Sequence, residues 1–137
     1  MSKLDVREQG HYGEGATALQ QYAFTVPGRA VPAQRMTQGT KWSKRARRSL
    51  EYQERVAWAA KAARVPRMKG NVQLTVRFYF RNRKHGDLSN LIKAIEDGLQ
   101  YGRVLDNDKQ VLRYGETTGI YYTDGEEHAE VEVTEVT

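Results

Sequence analysis

The longest regular alternation in the chain runs from Asn71 to Arg81. Val72, Leu74, Val76, Phe78 and Phe80 take every second position, with Gln73, Thr75, Arg77, Tyr79 and Arg81 between them. A period of two is that of a strand with one buried face. Tyr22–Val26 alternates over a shorter span and predicts a strand ended by Pro27-Gly28. Between these two the period changes. Tyr52, Val56, Ala59, Ala60 and Ala63 recur at helical spacing, which predicts a helix capped by Ser49, running to about Arg64 and stopped by Pro66. Its alanines suit close packing on a sheet, and Trp58 lies off the centre of the stripe. Leu88, Leu91, Ile92, Ile95 and Leu99 form a second, cleaner stripe that predicts a helix ending near Gly102. Ser89, Lys93 and Glu96 share its polar face, and Asp97 lies at the edge of that face.

The remaining pattern is extended. Residues 33 to 40 form a loop rich in Thr, Gln and Gly. Gln110 to Tyr122 predicts a strand broken or bulged at Gly115, Asp124-Gly125 a hairpin-type turn, and Ala129, Val131 and Val133 a last strand with Glu130 and Glu132 on a solvated face. The order β-α-β-α-β-β predicts an α+β fold: a small mixed or antiparallel sheet of about four strands with two helices on one face. Residues 1–20 carry little pattern and are expected to form a flexible extension ahead of one domain over 21–137.

Composition narrows the function. At 137 residues the chain is long enough for one real core. It has no apolar run of membrane-spanning length, and its first residues lack the apolar stretch of a secretory signal. With no cysteine, thiolate metal sites and disulfides are excluded, and the expected location is cytoplasmic. Only His11, His85 and His128 carry imidazoles, which disfavours a His-rich zinc site. The net charge of +5 is modest, but its distribution is uneven. Arg29, Arg35, Lys41, Lys44, Arg45, Arg47 and Arg48 follow one another with no acid between Pro27 and Arg48, whereas Gly115 to Thr137 holds acids and no Lys or Arg. A basic block of this kind suits phosphate backbones. Trp42 within it can stack on a base or pack against the domain. Arg81, Arg83 and Lys84 form a second basic group just ahead of Asp87.

Acidic residues bracket the second helix. Asp87 follows Gly86 at its start, and Asp106-Asn107-Asp108 follows its end. Two acidic groups joined by one helix, with Lys93 between, suit a divalent-metal phosphodiesterase. The plainer alternative is a helix cap and a turn. A calcium loop beginning at Asp106 is excluded, because its sixth position is Val111 and its twelfth Thr117.

Asp87-Leu-Ser-Asn-Leu-Ile-Lys93, Asp97-Gly-Leu99 and Asp108-Lys-Gln-Val111, with Val26-Pro-Gly-Arg-Ala-Val-Pro32 and Arg35 upstream, resemble the RusA-type Holliday junction resolvases over residues 22 to 136. That family's pattern is Asp-x-Asp-Asn-x-x-Lys, then an Asp and a Leu, then an Asp before x-Gln-Val or x-Gln-Ile. The resemblance implies a homodimeric, Mg²⁺-dependent endonuclease acting on four-way-junction DNA in recombination and repair, and hence association with the nucleoid. It implies that Asp87 and Asp108 hold the metal, that Lys93 acts electrostatically and that Asn90 orients the loop or a ligand. Ser89 stands where the family has its second aspartate and would assist through its hydroxyl. Asp97 is expected to be structural, on the far side of the helix; Asp106 or Glu96 is a possible substitute for the missing charge. DNA contacts are expected from Arg29, Arg35, Lys41, Trp42, Lys44, Arg45, Arg47, Arg48, Arg83 and Lys84. The alternative is a junction-binding protein that does not cut because of Ser89.

Overall fold

The computed structural model describes residues 20–34 and 43–136. The expected extension, up to residue 19, lies outside them, as do Arg35, Lys41 and Trp42. Among the described residues five strands and two helices follow in the order β1 (Gln21–Pro27), α1 (Lys44–Ala62), β2 (Val72–Phe80), α2 (Leu88–Tyr101), β3 (Val111–Tyr114), β4 (Gly119–Tyr122) and β5 (His128–Glu135). A 3₁₀ turn, Asp108–Gln110, precedes β3.

The sheet is mixed. β5 lies between β1 and β2 and is antiparallel to both, with Phe24 and Val76 each opposite Val131. β3 and β4 both run parallel to β2 along its other edge, β3 beside its first half and β4 beside its second. The strand expected over 110–122 is therefore two short ones, which raises the count from four to five. Gly115 makes the break. Its N–H donates to the Leu74 carbonyl at 2.9 Å, and a Cβ there would collide with the Thr75 hydroxyl.

Alternation places the core. Val72, Leu74, Val76, Phe78 and Phe80 are fully buried with Phe24, Val26, Ala129, Val131 and Val133 from the neighbouring strands. The predicted stripe of α2 meets them through Leu91, Ile92, Ile95 and Leu99. Each such Val, Leu, Ile or Phe side chain stabilises the fold by roughly 1.5–3 kcal/mol. On the sheet's other face Arg77 bridges Glu130 at 2.9 Å and Glu132 at 2.6 Å, so the acids of β5 are paired as well as solvated.

Helix α1 departs from expectation at both ends. Its cap is Ser43, whose Oγ accepts the Ala46 N–H at 3.0 Å; Ser49 is buried inside the helix. Lys, Arg and Ala are strong helix formers, so the basic run extends the helix upstream although it shows almost no apolar period. Ala63 is exposed, and the chain leaves through Arg64 at φ 59°, before Pro66 is reached. Helix α1 lies against α2 as well as beside β1, and its close approach is to Gly98 of α2 and Gly102 at the end of that helix. A Cβ on Gly98 would stand 2.6 Å from the Val56 Cβ, and one on Gly102 2.9 Å from that of Ala57. Gly102 ends α2 as expected, yet its own φ is −83°; Arg103 takes the left-handed turn at φ 62°.

Candidate functional site

The start of α2 is built by three segments. Asp87 occupies its N-cap position with extended backbone, φ −68° and ψ 145°, but its carboxylate makes no capping hydrogen bond. The loop after β1 crosses this end. The Pro32 ring packs where a Gly86 side chain would otherwise stand, and the Ala33 N–H donates to the Asn90 carbonyl at 3.0 Å. Gly28, at φ 89°, turns the chain into that loop. Asp87, Ser89 and Asn90 are all exposed.

A depression of about 390 Å³ reaches Gly86, the residue before Asp87, and is lined by Arg29, Ala30, Val31, Pro32, Arg48, Lys84 and His85 besides. Arg29 lies over the Phe80 ring, pairs with Glu127 at 2.5 Å and donates to the Lys84 carbonyl, so it holds the β2–α2 loop in place. His85 stacks on Phe80 at 4.7 Å, and its Nε2 is 2.7 Å from the Tyr122 hydroxyl. Arg83 lies 4.9 Å over the Tyr122 ring. Arg81 is turned elsewhere, donating from Nε to the Gly125 carbonyl and from its backbone to Glu127. Lys44, Arg45, Arg47 and Arg48 are exposed in the opening turns of α1, a helix with no acid in its first turn. Their charge adds to the positive end of the helix dipole.

A second cluster lies further along α2. Lys93 Nζ reaches Asp97 at 3.0 Å and Asp108 at 3.2 Å. These hydrogen bonds, that to Asp97 foremost, raise the lysine's pKa and keep it charged. Asp97 is therefore part of the acidic cluster, which corrects the expectation of a place on the far side. Glu96 is buried and accepts the Tyr114 hydroxyl at 2.6 Å. Burial raises its pKa above the usual carboxylate range, and burial together with the Glu96 bond pushes Tyr114 up to about 12. Asp106 is not in this cluster. Arg67 grips it at 2.6–3.1 Å and holds its carboxyl below the usual range.

Lys93, Glu96, Asp97, Asp108 and Tyr114 thus come together, while Asp87 makes no contact with them that the structure records. Among the described residues no three acidic or histidine side chains form a group able to hold a metal ion. Two carboxylates still suit Mg²⁺, which prefers hard oxygen donors and completes its shell with water and substrate phosphate. Sequence reasoning passed over Tyr114; its only signal is the tyrosine that closes β3, just before Gly115.

Among the described residues no helix is long and apolar enough to cross a membrane. No curated protein matches the chain significantly. Residues 27–134 match the family model described as endodeoxyribonuclease RusA. That stretch takes in β1's end, both acidic regions and nearly all of β5, so the chain belongs to the RusA family of endodeoxyribonucleases, whose members resolve Holliday junctions.

Proposed function

We propose that this chain is a Mg²⁺-dependent resolvase that cuts four-way-junction DNA by paired phosphodiester hydrolysis. The observation that carries the reading is Asp87, an exposed carboxylate without a capping bond beside a depression lined by Arg29, Arg48 and Lys84. Asp87 and Asp108 would hold the metal. Bound Mg²⁺ would offset the charge that builds on the phosphoryl oxygens and lower the pKa of an attacking water. Lys93, charged at neutral pH, contributes a positive field at the scissile phosphate and does not act as a base. Ser89 offers a hydroxyl where a carboxylate would add charge. Arg48, Lys84 and the exposed cations of α1 align the backbone of the arms, so binding should weaken steeply with salt. A homodimer would set two such sites across a junction of matching two-fold symmetry. The setting is DNA recombination and repair in the cytoplasm, at the nucleoid.

The test is an end-labelled synthetic junction, with linear duplex as competitor, with and without Mg²⁺. Symmetric metal-dependent nicks are expected. Tight junction binding without nicks would replace this reading with that of a non-cutting junction binder. That second reading draws on the neutral hydroxyl at Ser89 and on Glu96, which is buried beneath the Tyr114 hydroxyl and does not replace the missing charge. Ser89→Asp separates the two, since gained or faster cleavage shows that the missing carboxylate limits turnover.

A further inference from the structure

One side chain makes four hydrogen bonds around the loop that carries Asp108. Gln110 has an amide with two N–H donors and a carbonyl oxygen that accepts twice. Its Nε2 donates to the Met68 carbonyl at 2.7 Å and to the Gly70 carbonyl at 2.8 Å. Its Oε1 accepts the backbone N–H groups of Asp106 at 2.7 Å and Asn107 at 3.1 Å. Every hydrogen-bonding site of the amide is filled, and the two halves of the amide hold different segments. One is the approach to β2, the central strand; the other is the turn that begins with Asp108. Asn107 completes the turn by accepting the Lys109 N–H at 2.8 Å.

We propose that Gln110 is a positioning residue for the nuclease site, fixing the backbone from which Asp108 projects; this rests on the assignment of Asp108 made above. No other side chain supplies two donors and a twice-accepting oxygen at this reach. Glu lacks the donors, Lys lacks the acceptor, Met lacks both and Asn is a methylene too short. The Arg67–Asp106 pair fastens the same two segments but at an exposed surface, where such pairs contribute little. Without the Gln110 amide the Asp106 and Asn107 N–H groups lose their acceptor and the turn is free to shift relative to α2. Displacements of about 1 Å at a reacting group can cost on the order of a hundredfold in rate.

Gln110→Met and Gln110→Asn are compared with Val131→Ala, a core truncation in β5. The measurements are amide hydrogen exchange at Asp106 and Asn107, Mn²⁺ binding to the DNA-free protein by electron paramagnetic resonance, and the Mg²⁺ dependence of junction cleavage. Both Gln110 variants should lose protection at the two amides. Their Mn²⁺ affinity should fall about tenfold, the lower end of what loss of a supporting hydrogen bond does to a metal site, and half-saturating Mg²⁺ should rise alike. Junction binding in Ca²⁺ should hold. Val131→Ala should lower the melting temperature and leave the metal dependence in place. Folded Gln110 variants with the parent's Mn²⁺ affinity, or an equal metal effect of Val131→Ala, would overturn the inference. If Gln110→Met does not fold, Gln110→Asn carries the test. Asp108→Asn tells the two readings apart. If it leaves Mn²⁺ affinity and cleavage intact, the site assignment fails; if it abolishes cleavage while the Gln110 variants match the parent, only the positioning role falls.

Discussion

Asp87 and Asp108 bring the same carboxylate into opposite surroundings. Asp87 stands at the start of a helix, exposed, next to Gly86 of the cation-lined depression, with no capping bond drawing on its oxygens. Asp108 shares Lys93 with Asp97 beside the buried Glu96, which the exposed Tyr114 bonds, on a turn fastened at several points. The first region keeps positive potential available to an incoming phosphate, whereas the second balances charge internally and holds geometry. A cutting site built across both would take an open cationic approach from the first and a fixed lysine and carboxylate from the second.

The largest effect that would break this contrast is expected from Asp87→Asn. Cleavage should fall by about 10³-fold or more, roughly 4 kcal/mol of barrier. The melting temperature should barely move, since no capping bond is removed and Asn caps as well as Asp. A marked loss of stability with cleavage intact would make Asp87 a cap and nothing more. Lys93→Met should act next most strongly, lowering single-turnover cleavage by about 10²-fold while junction binding persists. It also leaves Asp97 and Asp108 facing each other without their shared cation, so a variant as active as the parent would show that the second region balances charge without serving catalysis.

Glu96→Gln gives the smallest effect, and the sign follows from burial. The folded-state pKa of Glu96 is raised, so folding favours the protonated form. Its contribution is fully present below the unfolded value of about 4.3 and is lost as pH rises through the folded one. The glutamine variant, which still accepts from Tyr114, should match the parent near pH 4 and melt higher than it toward neutrality, in thermal scans with chelator present. A variant that loses stability at neutral pH instead would mean that Lys93 outweighs burial at this position.

How much of this was legible in the sequence varied with the kind of signal. β2 and α2 follow directly from periods of two and 3.6, because their apolar residues face one core. The start of α1 escaped because Lys44–Arg48 is almost wholly polar, and helix propensity without an apolar stripe leaves no mark. Glu96 fell on the polar face by angle, yet Tyr114 from another strand covers it, and a helical wheel holds no information about neighbours. Asp97 was misplaced although its partner, Lys93, is four residues away on the same helix, a spacing that was legible. Asp87, Lys93 and Asp108 are proposed from motif and order alone, while the grip of Gln110 depends in part on carbonyls some 40 residues away.

The split edge formed by β3 and β4 bears on solubility. A long, flat outer strand invites another chain to add itself, which is the route to runaway sheet extension. Here the outer row is interrupted where Gly115 closes against Thr75, leaving two stretches of four residues each. Among the described residues that side offers a second copy no continuous ladder, and the opposite border of their sheet is β1.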